Sequence, residues 1–195
     1  MSIKQAFKML APYFAVGIFW CIFSNAWLAI FAYHLQILLW ARRPFPSMRL
    51  PGLKQIICFA LPAVIAGPLF YFILPSIIHA DLFTWLADYH LSGLSLVLMI
   101  PYFGIVHPYL EQLHWAQLRE DTPVAHPLFA GYHIMVLYSL LTIPWLIACF
   151  AVLTAASLMW RQMRRRSGSS ALPVISHALA DTGIIIAAFI RVYRG

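Results

Sequence analysis

The stretch TPVAHPLFAGYHIMVLYSLLTIPWLIACFAVLTAASLMW (122–160) contains no Asp, Glu, Lys or Arg. A helix that crosses the hydrocarbon core of a bilayer needs roughly 20 mostly apolar residues. This stretch is long enough for two such crossings, and the segment from Thr142 to Pro144 is where we expect the chain to turn. The sequence therefore predicts a pair of transmembrane helices here.

The composition of the whole chain agrees with a lipid-facing exterior. The 195 residues are 63% hydrophobic and 10% charged, with a mean hydropathy of +0.81. A domain with a water-facing surface carries far more charge than this. We expect one integral membrane domain over residues 1–195, all-α, a polytopic transmembrane bundle of about six membrane helices.

Four further apolar runs supply the remaining predicted spans. The first run, Leu10–Trp40, is interpreted as one long tilted helix, or as a helix with an interfacial extension. The runs are Leu10–Trp40, Ile56–Ile78, Leu91–Leu118 and Ala171–Ile190.

Most basic residues lie in two short loops between the apolar runs. They are Arg42, Arg43, Arg49 and Lys54 in one loop, and Arg161, Arg164, Arg165 and Arg166 in the other. Loops rich in Lys and Arg usually face the cytoplasm, which explains the net charge of +7 without a nucleic-acid partner. The expected partner is the lipid bilayer. If both basic loops face the cytoplasm, four other basic residues lie on the opposite side of the membrane, in conflict with this rule: Lys4, Lys8, Arg191 and Arg194.

Four ionisable residues lie inside the predicted spans, namely Glu111, His133, His177 and Asp181. Such groups are costly in the hydrocarbon region unless they face the protein interior and are paired, so they are candidate functional residues. At 1.5 Å per residue, Glu111, His133 and His177 lie roughly 10 to 15 Å from the same membrane face. We therefore expect them to converge.

Helical spacing places several of these groups on common faces. His107, Glu111 and His114 follow i, i+4, i+7 spacing, and His177 and Asp181 follow i, i+4 spacing. A carboxylate beside an imidazole in a partly desolvated pocket can activate water. A second imidazole with a polar neighbour can stabilise a tetrahedral oxyanion.

Three short motifs carry a family resemblance: HPYLEQLHWAQLR (107–119), FAGYH (129–133) and HALAD (177–181). Their order resembles the CPBP family of intramembrane proteases, which includes the type II CAAX-prenyl endopeptidases and bacteriocin-processing or immunity proteins. That family shows Glu-Glu-x-x-x-Arg, then Phe-x-x-x-His, then His-x-x-x-Asn or Asp. The resemblance covers about 108–190, and this chain is similar to short bacterial members. The first motif departs at Gln112 and Ala116, with Arg119 one turn later.

The resemblance implies an endopeptidase acting on a membrane-associated or membrane-tailed protein in a bacterial or archaeal cell membrane. Glu111 and His133 would activate the attacking water, and His177 with Asp181 would form the oxyanion site. Asp181 can donate a hydrogen bond only when protonated, which an apolar site favours. The supporting candidates are His107, Gln112, His114, Arg119 and Phe129.

No cofactor is expected, since a catalytic zinc usually has three protein ligands and no His-Glu-x-x-His is present. A zinc ion on Glu111, His133 and His177 is the alternative. Two further functions stay open. One is a haem or metal protein using two of His107, His114, His133 and His177. The other is a non-catalytic immunity or scaffold protein of the same fold. His34, His79, His90 and His126 are interpreted as structural or interfacial.

Overall fold

A computed structural model describes residues 2–40 and 47–194, so that Arg42 and Arg43 of the first predicted basic loop lie outside the described residues. Within these ranges the chain forms eight helices and no strand. The helices are α1 Ile3–Ile22, α2 Ala26–Trp40, α3 Leu53–Ile77, α4 Leu82–Asp88, α5 Leu94–Asp121, α6 Ala125–Leu137, α7 Ile143–Ser167 and α8 Ala171–Arg194. The predicted all-α bundle is confirmed.

Five of these helices are long and apolar enough to cross a membrane: α1, α3, α5, α7 and α8. The chain is therefore an integral membrane protein. Two further apolar helices are shorter, since α2 has 15 residues and α6 has 13. The predicted spans Ile56–Ile78, Leu91–Leu118 and Ala171–Ile190 correspond to α3, α5 and α8 within a few residues.

The uncharged stretch 122–160 forms two helices, of which only the second, α7, is long and apolar enough to cross a membrane. The chain leaves α6 at Leu137 and enters α7 at Ile143, so the turn includes the predicted hinge at Thr142. Pro144 lies in the first turn of α7, where its missing N–H costs nothing. At the other end Gly168 adopts the left-handed conformation that stops the helix (φ 63°).

The prediction of one helix over Leu10–Trp40 is wrong, because the chain turns back at residues 23–25 and forms the α1–α2 hairpin. Ser24 has a positive φ of 48°, which a continuous helix excludes. The Asn25 side-chain oxygen accepts a hydrogen bond from the Leu28 N–H at 2.9 Å, which caps the new helix. A short polar pair thus breaks a long apolar run that contains no charge.

Hydrogen bonds identify the two ends of the bundle. At one end the Gln5 side-chain amide donates to Asp121 Oδ2 at 2.9 Å, which joins the start of α1 to the end of α5. At the same end Ser169 Oγ, from the α7–α8 turn, donates to the Arg49 carbonyl oxygen at 2.7 Å. We call this the basic end.

The opposite end carries the remaining connections. Ile78 forms an isolated bridge with Leu141, so the end of α3 meets the α6–α7 turn. The Gly93 N–H donates to the Tyr193 hydroxyl oxygen at 2.7 Å, which places the end of α8 here. We call this the acidic end, because Asp81 precedes α4 and Asp88 is its last residue, between these connections.

The α1–α2 hairpin changes the predicted distribution of charge. The Lys8 ammonium donates to the Trp40 carbonyl oxygen at 3.3 Å, so the start of α1 lies beside the end of α2. Lys4 and Lys8 therefore lie at the basic end, together with the basic residues of α7. The predicted conflict over these two lysines disappears, and it persists only for Arg191 and Arg194.

The second half of α5 is the centre of the bundle. It packs against α2, α6, α7 and α8, and most of its residues between His107 and Arg119 are buried. A helix that is buried on all sides usually carries apolar residues. This one instead carries a carboxylate, imidazoles, an amide and a guanidinium, and all of them must find partners inside the protein.

Helix α8 reaches this centre through small residues. A Cβ atom at Gly67 in α3 would lie 2.8 Å from the backbone of Gly183 in α8, and one at Gly104 in α5 would clash with Thr182 Oγ1. Helix backbones in membranes approach closely where small residues face each other. This close packing holds α8, with its polar residues, against α5.

Replacing Gly67 by Ala should separate α3 from α8, because the new methyl group meets backbone atoms that cannot rotate away. We expect a loss of about 1 to 3 kcal/mol of stability, measured as a lower thermal unfolding midpoint by circular dichroism in detergent micelles. Gly52→Ala is the matched control, since no atom of the described residues lies within 4 Å of a Cβ atom there. Equal midpoints for the two variants would contradict this packing.

Candidate active site

Glu111 is fully buried in α5, with 0% of its surface exposed. The Tyr33 hydroxyl, from α2, donates to Glu111 Oε1 at 3.1 Å. The Trp115 indole N–H in turn donates to the Tyr33 oxygen at 2.8 Å. Because Tyr33 receives one hydrogen bond and gives the other, the position of this carboxylate oxygen is set by two helices.

The second carboxylate oxygen faces α8. His177 Nε2 lies 3.4 Å from Glu111 Oε2 and 3.2 Å from Asp181 Oδ2. His177 and Asp181 are one helical turn apart, as their spacing predicts. The structure thus brings together three of the four predicted catalytic residues in direct contact.

His133, the fourth, comes from α6. Its Nδ1 lies 2.8 Å from the Phe129 carbonyl oxygen. A carbonyl oxygen only accepts hydrogen bonds, so Nδ1 carries the proton of the neutral ring and Nε2 carries a lone pair. The Tyr132 hydroxyl lies 3.1 Å from that Nε2. A ring nitrogen of His133 also lies within 4.8 Å of ligand atoms of Glu111 and His107.

His107 extends the cluster towards α2. Its Nε2 lies 3.7 Å from Glu111 Oε1, and its Nδ1 lies 3.1 Å from His34 Nε2. His34 Nδ1 in turn lies 2.7 Å from the Tyr102 hydroxyl. Tyr102, His34 and His107 can each donate and accept a hydrogen bond. They therefore form a chain of contacts that ends at the Glu111 carboxylate.

The predicted site did not include five of these residues: Tyr33, His34, Tyr102, Trp115 and Tyr132. An imidazole within an uncharged apolar run was the available signal for His34, which was interpreted as structural or interfacial. Nothing in the local sequence separates Tyr33 or Tyr102 from the other tyrosines of a membrane protein. Only the hairpin, which was not predicted, brings α2 to the site.

Arg119 is 1% exposed and lies beside the cluster. Its Nη1 donates to Gln112 Oε1 at 2.7 Å, and the Gln112 amide nitrogen lies 3.4 Å from His177 Nδ1. The guanidinium carbon lies 4.6 Å from the Phe129 ring centroid and 5.3 Å from that of Trp160. Gln112 and Arg119 therefore interact although the family-like Arg position holds Ala, because seven residues span about two helical turns.

His114 lies apart from the other supporting candidates. Its Nε2 lies 3.0 Å from the Lys8 carbonyl oxygen in α1. His107 and Glu111 contact each other as their spacing predicts, whereas the His114 side chain is turned to a different neighbour. This contact is the interhelical hydrogen bond that a single membrane histidine commonly makes.

The cluster also contains a set of donors suited to a metal ion. One ligand atom each from His107, Glu111 and His133 lies within 4.8 Å of the others. Two imidazoles and a carboxylate are common ligands for zinc or iron, and both imidazoles have an outer partner that fixes the ring. The alternative zinc site predicted from the sequence consisted of Glu111, His133 and His177. The set found in the structure shares the first two residues and has His107 in place of His177.

Comparison with known proteins identifies no relative of this chain. No protein-family model matches it, no curated protein is significantly similar to it, and no solved structure matches it significantly.

Proposed function

We propose that this chain is an intramembrane endopeptidase that hydrolyses a peptide bond of a membrane-associated or membrane-tailed protein. One observation carries the proposal: a fully buried carboxylate, Glu111, lies among imidazoles from three different helices. The arrangement is costly in an apolar interior, and such groups are retained in membrane proteins mainly for function. The order of the three motifs supports hydrolysis over other uses of the same groups.

In this proposal Glu111 and His133 hold the attacking water. The carboxylate takes a proton from the water as its oxygen attacks the carbonyl carbon of the scissile peptide bond. The lone pair on His133 Nε2, which the Tyr132 hydroxyl approaches to 3.1 Å, accepts the other hydrogen of the water when the water replaces that hydroxyl. When the C–N bond breaks, the protonated Glu111 returns its proton to the leaving amine, so the enzyme ends in its starting state.

The negative charge that develops on the carbonyl oxygen needs hydrogen-bond donors. His177 Nε2 and Asp181 Oδ2 lie 3.2 Å apart at the edge of the Glu111 carboxylate. A protonated Asp181 and an N–H on His177 would together form an oxyanion site. The site is shaped by α5 and α8, whose close packing through glycine keeps the two donors in place.

The membrane location restricts the substrate class. Five of the described helices are long and apolar enough to cross a membrane, so most of the described chain lies within the bilayer. A peptide segment that lies in or on the membrane can reach a site at this depth, whereas a folded soluble protein cannot. A membrane protein or peptide is therefore the expected partner.

Glu111→Gln should abolish cleavage, because an amide has no carboxylate to take the proton. We expect a loss of at least about 10²-fold, read from the protein termini in membranes of cells that express wild type or variant at matched levels. Glu120→Gln is the matched control on the same helix. Its carboxylate forms ion pairs with Arg161 and Arg165 at the basic end, and partly exposed pairs contribute little to stability.

New termini with wild type and Glu120→Gln, but not with Glu111→Gln, would support the protease and identify its substrate. Cleavage that persists in Glu111→Gln would exclude the proposed mechanism. Identical termini for all three folded proteins would favour the non-catalytic immunity or scaffold function instead.

A metal protein is the second candidate, favoured by the donor set of His107, Glu111 and His133. Under the endopeptidase proposal without metal, we expect purified protein to contain substoichiometric zinc and iron and to lack Soret absorbance. Stoichiometric metal that is lost in His107→Gln and kept in His114→Gln would establish the metal centre instead, since His114 lies apart from this set. Elemental analysis and an absorbance spectrum measure both properties.

We propose that the basic end faces the cytoplasm of a bacterial or archaeal cell. The hairpin adds Lys4 and Lys8 to that end, and Lys and Arg are enriched on the cytoplasmic side of membrane proteins. In a cysteine-free background, an impermeant maleimide should label Asp88→Cys in intact cells and leave Ser2→Cys unlabelled until the cells are opened. The reverse pattern would contradict this orientation.

A further inference from the structure

The orientation of the Gln112 side chain is fixed by Arg119. A guanidinium donates hydrogen bonds and accepts none, so the oxygen of the Gln112 amide must be the atom that faces Arg119 Nη1 at 2.7 Å. The amide nitrogen then points the opposite way, towards His177 Nδ1 at 3.4 Å. Both side chains are at most 2% exposed, so no bulk water competes for these positions.

This orientation determines which nitrogen of His177 carries the proton. An amide nitrogen only donates, so His177 Nδ1 must present its lone pair. The neutral imidazole has one N–H, which therefore lies on Nε2. That atom faces Asp181 Oδ2 at 3.2 Å and Glu111 Oε2 at 3.4 Å. Both oxygens can accept a hydrogen bond and neither has a hydrogen-bond partner among the described residues, so the surroundings of both ring nitrogens favour the same tautomer.

The plane of the His177 ring is also held. Trp160, from α7, stacks on it with ring centroids 4.2 Å apart and an interplanar angle of 26°. A 180° flip of the ring about the Cβ–Cγ bond would exchange Nδ1 with Cδ2 and Nε2 with Cε1, and would place a carbon-bound hydrogen against the Gln112 amide nitrogen. The stacked indole fixes the plane of the His177 ring. The partners of the two ring nitrogens then decide which of the two orientations related by a flip the ring adopts.

We propose that Arg119 and Gln112 are positioning residues that keep His177 as a neutral Nε2–H donor. In that state His177 donates to the carbonyl oxygen of the substrate and cannot take a proton at the reaction centre. This assignment rests on the proposed endopeptidase function. It also gives a physical meaning to the amide at position 112, where the resembling family has a second carboxylate.

A carboxylate at position 112 would have the opposite effect. It accepts hydrogen bonds and would attract a proton to His177 Nδ1. The ring would then either lose the N–H on Nε2 or become a doubly protonated cation. Gln112→Glu changes one heavy atom without changing side-chain size, so it tests the tautomer with little effect on packing.

The tautomer can be measured directly in nanodiscs with ¹⁵N-labelled histidine. Long-range proton–nitrogen correlation spectra distinguish a protonated ring nitrogen from one with a lone pair, and the His177 signals are those missing from His177→Gln. We expect an unprotonated Nδ1 and a protonated Nε2 in the wild type, and a protonated Nδ1 in Gln112→Glu. The matched control is Gln117→Glu, the same change on an exposed face of α5, and it should keep the wild-type pattern.

A proton on Nδ1 in the wild type, or an unchanged pattern in Gln112→Glu, would overturn the proposal. Neither measurement needs a substrate, so both remain valid if the search for new termini finds no protease.

Once that search supplies a substrate, Gln112→Glu should lower kcat on the order of 10²-fold with KM unchanged, as expected for a donor that acts in the transition state. Gln117→Glu should retain wild-type kcat. A changed tautomer with unchanged kcat would show that His177 is not the donor, and it would overturn the positioning role while the endopeptidase stands.

Discussion

The burial of the Glu111 carboxylate is the constraint on which the rest of the structure depends. An ionised carboxylate in an apolar interior costs several kcal/mol unless hydrogen bonds and nearby charges replace its water. The protein surrounds it with Tyr33 from α2, His133 from α6 and His177 from α8. These neighbours come from distant parts of the chain, so the helices must pack around the centre of α5 before the carboxylate is surrounded by them.

The same requirement extends outward from the carboxylate. Arg119 supplies a buried positive charge on α5, and it is itself enclosed by the rings of Phe129 and Trp160. The Gln112 side-chain oxygen accepts a hydrogen bond from that guanidinium, and this turns the amide nitrogen towards His177 Nδ1. The polar groups of the centre thus form a connected network in which the donor or acceptor role of each atom limits the role of the next.

The α1–α2 hairpin shows how a small local signal alters the whole bundle. Ser24 and Asn25 give the chain a turn within a long apolar run. The turn places Lys8 beside the end of α2 and brings Tyr33 and His34 to the site. Hydropathy averages over about 20 residues, so two polar residues without charge barely change it. That is why the spans were predicted well elsewhere and wrongly here.

The sequence by itself determined the membrane class, the all-α architecture, most of the spans and the convergence of Glu111, His133 and His177, because these follow from hydropathy and from depth along the helices. The tertiary structure alone decided that α2 closes the site, that His107 belongs to the cluster while His114 does not, and that Arg119 reaches Gln112. The physical reason is that hydrogen-bond partners across a helix bundle depend on the rotation and register of neighbouring helices. Those are set by packing between helices, such as the close backbone approach of Gly67 and Gly183, and not by any local pattern.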